Sequence, residues 1–288
     1  MRKVGEEMNG LLFINKPKGL TSRDVVNQIS RIYGVKKVGH TGTLDPLATG
    51  VLIVCVGSYT KLVNLLTSSY KEYIASVKFG IKTDTGDITG NVLETKDVSF
   101  SYEELKQVID TFPKEYIQTV PMYSAVKVNG KKLYEYAREK KEVELPKRQV
   151  FINELELLEC HDDIAKIRTV VSKGTYIRSL IEDIARRLNT VAVMSGLVRT
   201  KQGNVSLEEC ILLKDITKNT PLKTVDEVFS LPKIEVNEQD YQRVINGNPL
   251  FLDMTEPRIF VTRHNEVVAM YEKKEDSYHI IFQVRPHA

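Results

Sequence analysis

A carboxylate followed by proline, set in a loop crowded with glycine and threonine, is the feature of this sequence best suited to chemistry. The segment reads Gly39-His40-Thr41-Gly42-Thr43-Leu44-Asp45-Pro46-Leu47-Ala48-Thr49-Gly50. A following proline confines the backbone of the residue before it, so the loop should hold Asp45 on a rigid perch. A carboxylate held this way can serve as a nucleophile or as a base. The loop is no phosphate cradle: it has neither the GxxxxGK[ST] pattern with its phosphate-reaching Lys nor GxGxxG. His40 is a second polar candidate in the same loop. A second turn, Thr83-Asp84-Thr85-Gly86-Asp87, offers two further acids in a comparable setting. Taken alone, an Asp-Pro in such a loop is also what an ordinary turn looks like.

The elements around the loop follow from spacing. Residues 11–14 (LLFI) read as a short strand before the turn Lys16-Pro17-Lys18-Gly19. Thr21 and Asp24, three apart and ahead of Val25, Val26, Ile29 and Ile32, form a capping signal for a helix over 22–33. Residues 51–56 are a short β-branched apolar run, which predicts a fully buried strand directly after the loop. Residues 60–66 suggest a short helix. In 70–80 the alternation puts Tyr73, Ala75, Val77 and Phe79 on one strand face. Ser101 with Glu103 and Glu104 starts a helix over 102–112. Strands are expected at 122–128, 149–159, 164–172 and 190–200, a charged helix or excursion at 132–141, and a helix at 176–188. This interspersion lacks a strict βαβ rhythm and points to an α+β fold with a mixed or antiparallel sheet. The broken stretch Lys218-Asn219-Thr220-Pro221 and then Leu231-Pro232 suggests a boundary near 230. Residues 1–230 are then one domain, and 231–288 a small β-rich module with a helix at 238–246 and strands at 258–263, 266–271 and 278–284.

Composition narrows the class. The chain has 288 residues, 42% hydrophobic and 27% charged, with a net charge of +3. Two blocks hold the positive charge. Residues 1–40 carry eight Lys/Arg against three acids, and residues 127–148 eight against four. A charge run is often only solvated surface, but two such blocks favour a polyanionic partner. Cys55, Cys160 and Cys210 are far apart and show no CxxC spacing, which argues against disulfide frameworks and Cys-rich zinc sites. The start MRKVGEEMNG lacks the apolar segment of a signal peptide, with Met8 an alternative first residue. The longest apolar run, Val51 to Val56, is far short of a membrane span. A reducing, cytoplasmic setting is expected.

GHTGTLDPLATGVL closely resembles the catalytic motif of the TruB family of pseudouridine synthases. The likeness is long and nearly gapless, and it continues over most of the chain. LLFINKPKGLTS is similar to the family's N-terminal Lys-Pro motif, which implies a structural role for Lys16 beside the site. Ser69-Tyr70-Lys71-Glu72-Tyr73, with the Phe79-Gly80 and Thr83–Asp87 segments after it, resembles the second motif and implies that Tyr73 stacks on the target base. Ser172-Lys173-Gly174-Thr175-Tyr176-Ile177-Arg178-Ser179-Leu180 resembles the third, with Arg178 as catalytic arginine and Tyr176 in support. Ser195-Gly196-Leu197-Val198-Arg199-Thr200 resembles the flanking segment, with Leu197 against the base. VPMYSAVK and GKKLYEYAR, within about 120–150, look like the family's RNA-gripping insertion, which implies RNA contacts for Lys127, Lys131 and Lys132.

The resemblance implies Asp45 as the catalytic carboxylate and His40 at the RNA-binding face. It implies a substrate uridine in the T loop of tRNA (position 55), flipped from its stack, with no cofactor and no metal. It also places a PUA-like RNA-binding module at the C-terminus. A monomer that grips the tRNA T arm and elbow is expected. Two other readings remain open. A hydrolase with paired carboxylates would need Asp84 or Asp87 near Asp45. A tRNA-folding chaperone would need the basic surface alone, and chaperoning can accompany catalysis.

Overall fold

The computed structural model describes residues 8–284. Met1, Arg2 and Lys3, the start of the first basic block, lie outside the described residues. The first half of the chain supplies β1 (Gly10–Lys16), α1 (Ser22–Tyr33), β2 (Val38–His40), β3 (Thr49–Val56), α2 (Val63–Thr67), β4 (Lys71–Phe79), β5 (Ile81–Thr83), β6 (Val92–Thr95), α3 (Tyr102–Asp110) and β7 (Glu115–Thr119). There follow β8 (Lys127–Val128), β9 (Lys131–Lys132), α4 (Leu133–Arg138), β10 (Lys147–His161), β11 (Ile164–Val171), α5 (Ile177–Arg187), β12 (Ala192–Gln202), β13 (Val205–Ser206) and β14 (Ile211–Leu212). The last elements are β15 (Lys233–Glu235), α6 (Glu238–Ile245), β16 (Arg258–Arg263), β17 (Glu266–Lys274) and β18 (Ser277–Gln283).

One large sheet runs β14-β1-β3-β12-β4-β11-β10-β7, with β2 on β3 and β13 on β12. It is mixed: β12 is parallel to β3 and antiparallel to β4. The fold is therefore α+β, as the interspersed pattern predicts. The alternation of β4 is complete, with Tyr73, Ala75, Val77 and Phe79 all buried. These side chains pack with Leu105 and Ile109 of α3 and Leu180, Ile181 and Ile184 of α5. The continuous apolar run of β3 has a different cause, because that strand is covered on both faces. Leu52 and Val54 meet Val25 and Ile29 of α1. Val51 and Ile53 share a cluster with Tyr59, Phe260, Met270 and Phe282, so the C-terminal sheet covers the other face.

The helix signals hold because the caps form. Thr21 and Asp24 make a reciprocal capping box, and Gly34 ends α1 at φ 68°, an arrangement that stabilises a helix start by about 1 kcal/mol. Ser101 and Glu104 do the same for α3. The region before the insertion differs from expectation. The strand lies at Glu115–Thr119, where it pairs with β10. Only Lys127–Val128 of the expected 122–128 strand is extended. Residues 122–125 form bends instead, because Leu133 N–H and Tyr134 N–H donate to the carbonyls of Val126 and Ser124 and fold the segment onto α4.

The last strands form a separate four-stranded sheet, β15-β16-β17-β18. A second apolar cluster backs it, built from Val236, Val244, Leu250, Ile259, Val261, Tyr271 and Tyr278. Among the described residues no helix is long and apolar enough to cross a membrane.

Candidate active site

Asp45 sits between β2 and β3 in a loop pinned from both sides. Leu44 N–H donates to Ser22 Oγ at the start of α1, 2.8 Å away. Gly19 N–H donates to the Pro46 carbonyl at 2.7 Å, and Ala48 N–H closes a turn onto the Asp45 carbonyl at 3.0 Å. The loop then enters β3 at Gly50, where φ is 102° and a Cβ would lie 2.2 Å from the Arg199 carbonyl. Only glycine allows β3 to approach β12 this closely. The perch expected from Asp45-Pro46 is thus built from turns and cross-links to neighbouring elements.

Arg178, in the first turn of α5, meets the carboxylate at two points. Its Nε lies 3.0 Å from Asp45 Oδ2 and its Nη2 3.4 Å from Oδ1. The guanidinium is itself held, since Nη1 donates to the Thr85 carbonyl at 2.8 Å and Nη2 to the Tyr123 carbonyl at 3.0 Å. The Arg178 side chain is 7% exposed and that of Asp45 33%, so the pair has one face in the protein and one open. A planar guanidinium that meets both oxygens fixes the orientation of the carboxylate.

The start of α5 has no side-chain cap of its own. Buried Gln118 of β7 substitutes: its Oε1 accepts from Tyr176 N–H at 2.8 Å and its Nε2 donates to the Tyr176 carbonyl at 3.1 Å. Ser179 Oγ adds a bond to the Thr119 carbonyl at 2.9 Å. Strand β7, which spacing alone did not reveal, therefore sets the position of Arg178.

Asp45 and Arg178 open on a cavity of about 420 Å³. Tyr73, Tyr176 and Leu197 line it, as do Lys71, Tyr123, Ser124, Tyr134 and Arg199. The structure thus brings together Asp45, Tyr73, Arg178, Tyr176 and Leu197. It does not bring the other candidates into the cavity wall. Lys16 is fully buried and its Nζ donates to the Pro17 and Leu20 carbonyls at 2.9 and 2.6 Å. Burial pushes its ammonium down to about 8, against the opposing pull of the nearby Asp45 charge. It ties the 17–20 turn beneath the loop. His40 Nδ1 accepts from Gly42 N–H at 3.3 Å. Burial, followed by the charges of Arg23 and Arg199, pushes this imidazole down to about 4, so it is neutral and free to accept. Lys127, Lys131 and Lys132 belong to the β8–β9 hairpin outside the cavity.

The two acids that a hydrolase would need are engaged elsewhere. Asp87 Oδ1 accepts from Thr89 N–H at 2.9 Å and Thr89 Oγ1 at 2.5 Å. Asp84 accepts from Asn91 N–H at 2.8 Å and Asn91 Nδ2 at 3.0 Å. Neither lines the Asp45 cavity, whose one carboxylate among the described residues is Asp45.

Lys71, Arg199, Gln118 and Ser124 are the residues that reading by spacing missed. One signal was available: Lys71 has the same strand parity as Tyr73, Ala75, Val77 and Phe79, and so sits as a cation on an inward face.

Residues 30–177 match the family described as TruB family pseudouridylate synthase (N terminal domain). The chain belongs to the TruB family. Curated relatives agree along nearly its whole length. The tRNA pseudouridine synthase B of Geobacillus thermodenitrificans (strain NG80-2) is 42% identical over 92% of this chain and 95% of its own. That of Oceanobacillus iheyensis is 43% identical over 98% of both chains. Among solved structures, a Cbf5-Nop10-Gar1 complex is similar with a TM-score of 0.71 at 25% identity, covering 96% of this chain and 84% of the other. An H/ACA RNP bound to a substrate RNA containing 2'-deoxyuridine gives a TM-score of 0.69 at 24% identity over 95% of this chain and 84% of the other. The TruB-type fold therefore extends beyond the matched 30–177 segment into the C-terminal sheet.

Proposed function

We propose that this chain is a tRNA pseudouridine synthase that converts the T-loop uridine at position 55, with Asp45 as its catalytic carboxylate. The observation that carries the reading is the two-point contact of Arg178 with Asp45 at the cavity lined by Tyr73 and Leu197. The curated relatives named tRNA pseudouridine synthase B support the substrate.

The reaction breaks the bond between ribose C1′ and uracil N1, turns the ring, and joins C1′ to C5. The C5 proton leaves and N1 gains one, so the mass is unchanged and no electron acceptor is needed. The uridine must first leave its stack, at a cost of a few kcal/mol. Stacking on an aromatic ring returns roughly 1–3 kcal/mol, and Tyr73 faces the cavity for that purpose. Leu197 packs against the base from the neighbouring strand. Arg178 holds Asp45 in place through its two-point contact, and the carboxylate then acts on C1′, on the uracil ring, or on the C2′ proton.

The rest of the molecule holds the RNA. Residues 1–230 form the catalytic domain, with the insertion at about 120–150 and its Lys127, Lys131 and Lys132 against the T arm. His40 lies at the RNA-binding face. Residues from about 231 form a PUA-like module that adds backbone contacts, with the enzyme working as a cytoplasmic monomer. Folded tRNA is read chiefly through shape and backbone.

The test is Asp45→Asn on an unmodified tRNA transcript. Turnover should fall by more than about a thousandfold, or 4 kcal/mol, with tRNA affinity within about tenfold. Normal turnover in that variant would remove Asp45 from its role. Release of free uracil by the native enzyme would instead identify a hydrolase.

A further inference from the structure

Two cations in the cavity wall take no part in that scheme. Lys71 stands two residues from Tyr73 on β4, and Arg199 two residues from Leu197 on β12. Residues two apart on a strand share a face at a spacing of about 7 Å. The strands are neighbours, with Arg199 opposite Tyr73 and Gln202 opposite Lys71. Each strand thus presents an apolar side chain for a base and, one nucleotide-sized step along, a cation. Both cations are buried, Lys71 to 7% and Arg199 to 0% exposure. They converge on Gly42, where a Cβ would lie 3.4 Å from Arg199 Nη1 and 3.5 Å from Lys71 Cε.

Among the described residues both cations are held by backbone carbonyls. Lys71 Nζ donates to the carbonyls of Thr67 and Ser69 at 2.9 and 2.8 Å. Arg199 Nε donates to the Val51 carbonyl at 2.6 Å and Nη2 to the Gly42 carbonyl at 3.1 Å. No carboxylate of the described residues forms an ion pair with either. Two adjacent buried charges of one sign are costly unless a counter-charge arrives. The cost is visible in the Lys71 ammonium, pushed down to about 8 by burial and then by the charges of Arg199 and Lys173. Ser124, 6% exposed, lines the same cavity, and its hydroxyl has no hydrogen-bond partner.

We propose that Lys71 and Arg199, with the Ser124 hydroxyl, form a phosphate subsite for the RNA backbone of the flipped nucleotide. This rests on reading the Asp45 cavity as a uridine site. A phosphodiester supplies the missing negative charge and acceptor oxygens, and a phosphate contact fixes register without reading sequence. Here that register sets the ribose C1′ against Asp45, while Tyr73 and Leu197 hold the base.

The experiment uses the full-length enzyme and a T-arm stem-loop in which single linkages flanking the target uridine are neutral methylphosphonates. For the native enzyme, one neutral linkage should raise KM about tenfold. Lys71→Gln should raise KM similarly on all-phosphate RNA, and Lys71→Arg should largely restore it. Combining Lys71→Gln with the sensitive linkage should cost no more than either change alone. Multiplying losses would overturn the subsite, because they would mean that the lysine and the phosphate act independently. The native enzyme tested across the linkage series needs no substitution, so a series with no effect overturns it even if Lys71→Gln folds poorly. An inactive Asp45→Asn beside a flat series would discard the phosphate subsite and keep the uridine site. A fully active Asp45→Asn would discard the uridine site and, with it, the phosphate subsite that rests on it, whatever the linkage series shows.

Discussion

The sheet-borne cavity and the basic insertion are both rich in charge, yet they use it in opposite ways. In the cavity the charges are buried and held by fixed partners. Arg178 is 7% exposed and makes four contacts, two with the carboxylate and two with backbone carbonyls. In the insertion the charges are half-buried to exposed and answer one another locally. Lys131 and Lys141 both pair with Glu139, and Lys131 and Lys132 lie over the rings of Tyr136 and Tyr134. Exposed pairs contribute at most about 1 kcal/mol and weaken with salt. A buried contact that orients a reacting group decides whether the chemistry occurs. Both regions are rich in cations; what separates them is burial and the fixed partners that come with it.

That contrast can be broken in order of expected effect. After Asp45→Asn, the largest loss should come from Arg178→Lys. The positive charge remains, but the planar fork that meets both carboxylate oxygens and two carbonyls is gone. A fall in kcat of about a hundredfold, or 2.7 kcal/mol, with little change in tRNA affinity, is expected in single-turnover assays. A near-native rate would mean that charge alone suffices.

Neutralising Lys131, Lys132, Lys140 and Lys141 together should leave kcat nearly intact and weaken tRNA binding. Four free phosphate contacts would flatten the salt dependence of log K by roughly three units. Because Glu139 already engages Lys131 and Lys141, a flattening of about one to two units is the expected reading. An unchanged slope in filter binding from low to moderate salt would make the insertion solvated surface and no more.

The remaining prediction concerns stability and leaves the chemistry untouched. His40 is held near 4 in the folded protein, below its ordinary value of 6.5. The unfolded chain therefore binds the extra proton first as pH falls. Stability from this group is fully present above about 6.5 and is lost progressively down to about 4, by up to about 3 kcal/mol. His40→Gln should reduce that slope in thermal unfolding followed between pH 7 and 4. An identical slope in the variant would place the proton-linked loss elsewhere.

Much of the local structure was legible because its causes are local. The capping residues Thr21 with Asp24 and Ser101 with Glu104, the alternation of β4, and the β3 run each record their element in neighbouring residues. The 122–128 segment misled because its β-like composition was overruled by hydrogen bonds from α4. β7 escaped notice because Glu115–Thr119 is mostly exposed and is extended mainly through its pairing with β10.

For the site, the sequence by itself determined which loop carries the carboxylate, and the family motifs pointed to Arg178, Tyr73 and Leu197 as its companions. Those motifs are contiguous, so they survive being read as a string. Only the tertiary structure decided that Arg178 reaches Asp45 across 133 residues of separation, that Gln118 grips the start of α5, and that Lys71 and Arg199 stand together with no ion-paired carboxylate among the described residues. Such facts arise where separate strands and helices meet in three dimensions, and spacing along one chain holds no record of which distant side chains share a cavity.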